Sequence, residues 1–173
     1  MEANIILNKG RIQKFIKKNI SNTHLMSKSN LENISFIYDL KNNFKISNES
    51  FFNSLNKFKG LPHRQEIFLK RKNFTFINDS KATSFESTKY ALLSQKNIIW
   101  ILGGLPKIGD KIKIKYLKDN ILKAYIIGNN TSFFKKQLKG KVKYHCFKSL
   151  KNAVESIFSD IKKNKIKKKL LFY

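Results

Sequence analysis

Apolar and polar positions follow a helical pattern in the first third of the chain, up to Gly60. Apolar residues recur there at spacings of three and four, which places them on one face of a helix. Three stretches show this pattern: Ile12–Ile16, Asn30–Phe44 and Ser47–Phe58. Ser47 precedes the last of them as a helix cap. The apolar run Ile5–Leu7 predicts a short strand. A few helices and one strand are too little for a stable domain, so we expect this segment to be the C-terminal end of a larger domain.

The pattern changes after Gly60. Two short runs rich in aromatic and β-branched residues, Gln65–Arg71 and Phe74–Asn78, predict an opening β-hairpin. Strands and helices then alternate to the end of the chain. The predicted strands are Ile98–Leu102, Ala124–Ile127, Val142–Phe147 and Leu170–Tyr173, and the helices are Ser84–Ser94, Ile112–Asn120, Thr131–Leu138 and Ser149–Lys163. This order predicts an α/β fold: a Rossmann-like, mostly parallel, doubly wound sheet with right-handed crossovers.

Length and cysteine content limit the class of protein. The chain has 173 residues, 41% of them hydrophobic, which suffices for one core and a small additional piece. No apolar run approaches the roughly 20 residues that a membrane-spanning helix needs. The N-terminal residues show no secretory pattern, and Cys146 is a single cysteine. We therefore expect a cytoplasmic protein without a membrane span.

The formal net charge of +25 raises the question of an anionic partner. The charge comes almost entirely from lysines spread over nearly every segment, because arginine occurs only at Arg11, Arg64 and Arg71. Arginine is the residue favoured for bidentate contacts to phosphates and bases. The composition therefore favours a general lysine bias over a nucleic-acid-binding face, which remains as the alternative.

Three segments follow predicted strands at their carboxyl ends, which is where doubly wound folds bind ligands. They are Asn78–Thr83, Gly103–Lys107 and Gly128–Ser132. Asp79 could accept hydrogen bonds from sugar hydroxyls, and Lys81 could hold a carboxylate or phosphate. Thr83 stands at the predicted start of a helix, where free amides suit an anion. Lys107 follows a glycine pair that lets the backbone approach a ligand.

Each of these residues also has a purely structural interpretation. Asp79 and Thr83 could cap the helix that begins near Ser84. Lys81 and Lys107 could be two more surface lysines. The chain contains neither a GxGxxG fingerprint nor a GxxxxGK[ST] phosphate loop, so it offers no independent nucleotide motif.

Three motifs in the right order resemble the Mur ligase family, and within it the members that add D-glutamate. They are FKGLPHR at Phe58–Arg64, INDSKAT at Ile77–Thr83 and LGGLPK at Leu102–Lys107. Upstream, SNLENI at Ser29–Ile34 resembles the family's HNxxN element, with Ser29 in place of its histidine. Ser84 replaces the asparagine that often follows NDSKAT. The resemblance extends from Asn30 to the C-terminus.

The resemblance implies an ATP-dependent, amide-forming ligase of peptidoglycan precursor synthesis. In this family ATP and Mg²⁺ convert the carboxylate of UDP-N-acetylmuramoyl-L-alanine into an acyl phosphate, which the amine of D-glutamate attacks. Residues 1–59 would be the end of the central ATP-binding domain, and residues 60–173 a truncated D-glutamate-binding domain. A monomer is expected, and nucleic acid is not an expected partner.

The resemblance also assigns roles to individual residues. Lys81, Thr83 and Lys107 would bind the carboxylates of D-glutamate, and the two lysines would be the catalytic candidates. Nucleotide contacts would come from Arg64 at the phosphates, Asn33 near the base and Asp79 near the ribose. The metal ligands of the family are not among these residues.

Because the family's phosphate loop and metal ligands are missing, we expect the chain alone to lack ligase activity. Two alternatives remain beside the parent enzyme. One is a non-catalytic Rossmann-like remnant, and the other is a basic nucleic-acid-binding protein.

Overall fold

The computed structural model describes residues 2–71, 74–112 and 118–163, which form two compact units, Met1–Gly60 and Leu61–Tyr173. The first unit is helical and the second combines strands with helices. The helices are α1 (Glu2–Asn19), α2 (Lys28–Leu40), α3 (Asn48–Lys57), α4 (Phe85–Ser94), α5 (Thr131–Leu138) and α6 (Leu150–Lys162). The strands are β1 (Glu66–Arg71), β2 (Phe74–Asn78), β3 (Ile98–Gly103), β4 (Ile121–Ile127) and β5 (Tyr144–Phe147).

The first unit packs α1, α2 and α3 around a small apolar core. Its buried residues are Ile16, Ile20, Leu25, Ile34, Phe51 and Phe52. The helices begin where the sequence offers hydroxyl caps: the Ser27 side chain accepts from the Asn30 amide, and Ser47 accepts from the Ser50 amide. Capping satisfies amides that the first helical turn leaves without an intrahelical partner.

The strand predicted at Ile5–Leu7 is wrong, because these residues lie within α1. A strand needs a neighbour to pair its backbone groups, whereas a helix pairs them within itself. The helical spacing at Ile12–Ile16 therefore continues toward the N-terminus as one helix of 18 residues.

The second unit opens with the predicted antiparallel hairpin of β1 and β2, whose register shifts between Ile67 and Leu69. A separate parallel sheet follows in the order β3-β4-β5. Trp100 pairs with Ala124, and Gly103, the last residue of β3, pairs with Ile127. The strands β3, β4 and β5 therefore present their carboxyl ends at one edge.

Both faces of the parallel sheet are buried, as the continuous apolar run of β3 predicted. Ile98, Trp100 and Leu102 pack on the side that α4 and α5 cover, together with Leu92 and Leu138. The other side is covered by α6: there the core consists of Phe76, Ile99, Ile101, Tyr125, Ala153 and Ile157. Helices on both faces of a parallel sheet make a doubly wound, Rossmann-like fold, which confirms the predicted fold class.

A polar link fastens α6 to the sheet. Lys123 Nζ lies 2.5 Å from Asp160 Oδ2, and the Tyr125 hydroxyl donates to the same oxygen at 2.8 Å. Burial raises the pKa of Tyr125, and the Asp160 carboxylate raises it further. Tyr125 therefore remains protonated and donates its hydroxyl hydrogen. The Lys123 ammonium also lies over the Tyr125 ring, 4.8 Å from its centroid.

Several predicted boundaries need correction. The third parallel strand starts at Tyr144, two residues later than predicted, because the Val142 amide donates to Leu138 O at the end of α5. Of the helix predicted over Ile112–Asn120, residues 113–117 lie outside the described residues, Ile112 is irregular and residues 118–120 form a turn. The strand predicted at Leu170–Tyr173 also lies outside them. Among the described helices we find none with the length and apolarity that a bilayer crossing demands.

The close approach of β3 to β4 at Gly103 predicts a steric cost. An added Cβ would lie 2.7 Å from Ile127 Cγ1 and nearer still to the Ile127 carbonyl oxygen. We expect Gly103→Ala to lower the free energy of unfolding by about 3 kcal/mol, because the backbone of β4 must move. Urea unfolding followed by the fluorescence of Trp100, the one tryptophan in the chain, measures this.

Gly128→Ala is the matched control for this substitution. Its added Cβ would meet open space, so only the positive φ of 87° opposes it, at a cost of about 1 kcal/mol. Equal losses for the two variants would contradict the steric argument.

Candidate functional site

Two loops at the open end of the β1–β2 hairpin are joined by hydrogen bonds. One precedes β1 and the other follows β2. The Lys81 amide donates to His63 O at 3.0 Å, and the Gln65 amide donates to Asp79 Oδ1 at 3.1 Å. Asn78 Nδ2 lies 2.8 Å from His63 Nδ1. The GLPHR and NDSKAT motifs, which the sequence separates, therefore form one structural element.

The first of these loops has an uncommon backbone on both sides of Arg64. His63 has φ 62° and Gln65 has φ 48°, in the left-handed region that residues other than glycine rarely adopt. The bonds to Asp79 and Lys81 hold this conformation in place. Its consequence is that Arg64 stands exposed between two fixed neighbours.

Asp79 is the buried charge of this element, only 7% exposed. Burial raises the pKa of Asp79, while the hydrogen bond from the Gln65 amide and the nearby charge of Arg64 partly offset that effect. The side chain does not cap α4, as one interpretation of the sequence allowed. It holds the loop that carries Arg64.

The loop after β3 is fastened at both ends. At its start, Asn130 Nδ2 donates to Gly104 O at 3.1 Å, which ties it to the loop after β4. At its end, both carboxylate oxygens of Asp110 accept from the Phe85 amide, at 3.2 and 3.0 Å. Lys107 lies between these anchors, and its carbonyl accepts from the Asp110 amide at 3.1 Å.

The helix start predicted at Thr83 is one residue too early. Ser84 is the N-cap of α4, and it exchanges hydrogen bonds with Ser87 in a capping box. The Ser87 amide is thus bound by Ser84 Oγ, and the Phe85 amide by Asp110. An anion beside Thr83 would therefore not find the free helix amides that the sequence suggested.

Hydrogen bonds link the loops that carry most of the predicted site residues. Arg64 and Asp79 are neighbours, Lys81 is bonded to the same pair of loops, and the Lys107 loop reaches α4 two residues beyond Thr83. The side chains of Lys81, Thr83 and Lys107 are exposed and make no hydrogen bond or ion pair with other described residues. They are available to a ligand.

Asn33 is the exception, because it lies in the first unit, exposed on α2. Its predicted proximity to the nucleotide base therefore stays a prediction.

Sequence reasoning missed the residues that hold the loops, namely Asn78, Asp110 and Asn130. An Asp that caps a helix 25 positions earlier leaves no local signal. Asn130 lies in the loop between β4 and α5, where asparagine is common and gives no specific signal. Asn78 is the first residue of the NDSKAT motif, but the motif gives no signal that its side chain would contact His63.

Within the described ranges, no group of three or more His, Cys, Asp or Glu side chains is placed to hold a metal ion. The edge is instead cationic, with three exposed basic side chains, Arg64, Lys81 and Lys107. Such an arrangement can bind carboxylates or phosphates and can stabilise negative charge that develops during a reaction.

The sequence is similar to ligases named UDP-N-acetylmuramoylalanine–D-glutamate ligase. It is 37% identical over 143 residues to that of Wolbachia sp. subsp. Brugia malayi (strain TRS), a match that covers 83% of this chain and 29% of the relative. It is 36% identical over 151 residues to that of Francisella tularensis subsp. novicida (strain U112), covering 85% of this chain and 36% of the relative. No protein-family model matches the chain.

Solved structures show the same fold. MurF from Acinetobacter baumannii superposes with a TM-score of 0.64 at 18% identity, covering 84% of this chain and 34% of that one. UDP-N-acetylmuramate-alanine ligase MurC from Thermotoga maritima superposes with a TM-score of 0.62 at 17% identity, again covering 84% and 34%. The chain thus spans about a third of the length of the curated relatives it matches, and over most of its own length it is homologous to UDP-N-acetylmuramoylalanine–D-glutamate ligases.

Proposed function

We propose that this chain supplies the D-glutamate-binding part of a ligase that joins D-glutamate to UDP-N-acetylmuramoyl-L-alanine in peptidoglycan precursor synthesis. One observation carries the proposal: in a chain that is 37% identical to such a ligase over 143 residues, the loop bearing Lys81 and Thr83 leads into α4, whose first amide is bound by Asp110 in the loop that bears Lys107. In this proposal residues 1–59 are the end of the central ATP-binding domain, and residues 60–173 form the D-glutamate domain. A cytoplasmic location follows, because ATP and UDP-linked sugars are cytoplasmic metabolites.

The substrate chemistry suits the exposed groups. D-glutamate carries two carboxylates, and each could accept charge-assisted hydrogen bonds from the Lys81 or Lys107 ammonium, with the Thr83 hydroxyl as a further donor. Two lysines and one hydroxyl bind two carboxylates without leaving buried charge unpaired, because all three residues are exposed. The arrangement would also orient the amino group of D-glutamate toward its partner.

The proposed reaction has two steps. The alanyl carboxylate attacks the γ-phosphorus of ATP, which forms an acyl phosphate and releases ADP. The amine of D-glutamate then attacks the acyl carbon, loses a proton and expels phosphate to leave an amide. Both steps concentrate negative charge, and Lys81 and Lys107 are the candidate catalytic residues that would stabilise it.

Arg64, Asp79 and Asn33 are the proposed nucleotide contacts. Arg64 is exposed beside the buried Asp79, so its guanidinium can reach ATP phosphates while the carboxylate fixes its loop. Mg²⁺ would accompany ATP. The described residues offer no group of three metal-ligating side chains for it.

The D-glutamate site can be tested on the chain as it stands. We expect D-glutamate to bind and to shift the backbone amide NMR signals of Lys81, Thr83 and Lys107. Lys81→Ala and Lys107→Ala should each weaken that binding by about tenfold or more, because each removes a charge-assisted hydrogen bond.

Lys151→Ala is the control for this titration, because Lys151 is an exposed lysine on α6. The proposal fails if the wild-type chain shows no amide shift with millimolar D-glutamate. It also fails if all three lysine variants bind as the wild type does.

The buried carboxylate of Asp79 predicts a pH dependence of stability. Its pKa is raised in the folded state, so the folded chain binds the proton more tightly than the unfolded chain does. Wild-type stability should therefore increase relative to Asp79→Asn as pH falls from about 7 through the raised pKa. Urea unfolding of both variants, monitored at Trp100, measures the difference.

Asp119→Asn, at an exposed position in the same unit, serves as the control. A difference between wild type and Asp79→Asn that stays constant with pH would show that burial does not govern this carboxylate. Loss of nucleotide binding in Asp79→Asn at unchanged stability would instead support the proposed ribose contact.

A further inference from the structure

The loop that carries Lys107 has almost no apolar packing of its own. Leu105 is 88% exposed and Ile108 is fully exposed, so neither buries the loop against the unit. Gly104 and Gly109 both have positive φ, at 100° and 78°, and give the backbone freedom that other residues lack. A loop of this kind keeps one conformation only if polar contacts hold it.

The polar contacts converge on Asp110. Its carboxylate accepts from the Phe85 amide at 3.0 and 3.2 Å, its carbonyl lies 3.5 Å from Gln137 Nε2, and its amide donates to Lys107 O at 3.1 Å. The last bond closes a turn over Lys107–Asp110. Whatever fixes Asp110 therefore also fixes the backbone of Lys107.

The anchor point of Asp110 lies close to the other proposed D-glutamate contact. Phe85 is two residues after Thr83, and the Ser84–Ser87 capping box holds the intervening turn. The bond from Phe85 to Asp110 thus sets the distance between the loop of Lys107 and the loop of Lys81 and Thr83.

We propose that Asp110 is a positioning residue: by capping α4 with its carboxylate, it holds Lys107 in register with Lys81 and Thr83. The proposal rests on the proposed D-glutamate site. A helix cap alone would give Asp110 only a role in stability, whereas positioning makes ligand affinity depend on it as well.

The test compares two ways of removing a cap from the same helix. Asp110→Ala releases the Lys107 loop, while Ser87→Ala breaks the capping box and leaves the contact between Asp110 and Phe85 in place. Both variants should melt at a lower temperature. Only Asp110→Ala should also weaken D-glutamate binding, by about tenfold, because a small displacement of a binding group costs much affinity.

Asp110→Asn provides the conservative rescue. Its amide oxygen can still accept from the Phe85 amide, so we expect its affinity to lie between those of the wild type and Asp110→Ala. If Asp110→Ala fails to fold, the D-glutamate affinity of Asp110→Asn still tests the proposal. The inference is overturned if Asp110→Ala binds D-glutamate as the wild type does, or if Ser87→Ala loses as much affinity.

Hydrogen exchange separates failure of this inference from failure of the proposed function. In Asp110→Ala the amides of Phe85 and Asp110 should exchange at least about tenfold faster than in Ser87→Ala, with no ligand present. If the wild type binds no D-glutamate but this difference appears, the proposed D-glutamate site is wrong, while the proposal that Asp110 anchors the loop is supported. Equal exchange in the two variants overturns the anchoring itself.

Discussion

Parallel pairing of β3 with β4 is the constraint on which the second unit depends. Parallel neighbours cannot be joined by a tight turn, so the chain must cross over one face of the sheet between them. The connection from β4 to β5 contains α5, and α4 and α6, which precede β3 and follow β5, also pack on the sheet. Every residue of Ile98–Leu102 is therefore buried. The same geometry collects the loops that follow β3, β4 and β5 at a single edge. The pairing of Gly103 with Ile127 brings the two strands together at that edge, where a side chain larger than hydrogen has no room.

In these loops the acidic side chains accept hydrogen bonds from backbone amides, whereas the basic side chains remain exposed. The Asp79 carboxylate accepts a hydrogen bond from the Gln65 amide, and the Asp110 carboxylate accepts one from the Phe85 amide. Lys81 and Lys107 are held through their backbones instead. The Lys81 amide donates to His63 O, and the Lys107 carbonyl accepts from the Asp110 amide. Their ammonium groups therefore remain exposed while their positions are fixed. On binding an anion, such loops would need to order only the lysine side chains and not their backbones, which favours affinity.

Local sequence signals predicted the elements well and their connections poorly. The bounds of α5 agree with the predicted Thr131–Leu138, because a strand end and a glycine-containing turn flank a clear helical spacing. Ser47 and Ser84 mark helix starts through caps that act within three residues. The bond from Asp110 to Phe85 spans 25 positions and depends on the crossover having formed. The same limit explains the error at Ile5–Leu7, where three apolar residues could not reveal that no strand would pair with them.

Charge alone does not distinguish the site from the rest of this basic chain. Lysines such as Lys135, Lys136 and Lys162 occupy the last turns of α5 and α6, where a positive charge complements the helix dipole. Lys123 is neutralised by Asp160. Lys81 and Lys107 differ from both groups: they lie in irregular loops, have no acidic partner among the described residues, and are fixed by hydrogen bonds to other loops. The net charge of +25 therefore reflects the composition of the whole chain, whereas Lys81 and Lys107 stand out because hydrogen bonds fix the backbones of their loops.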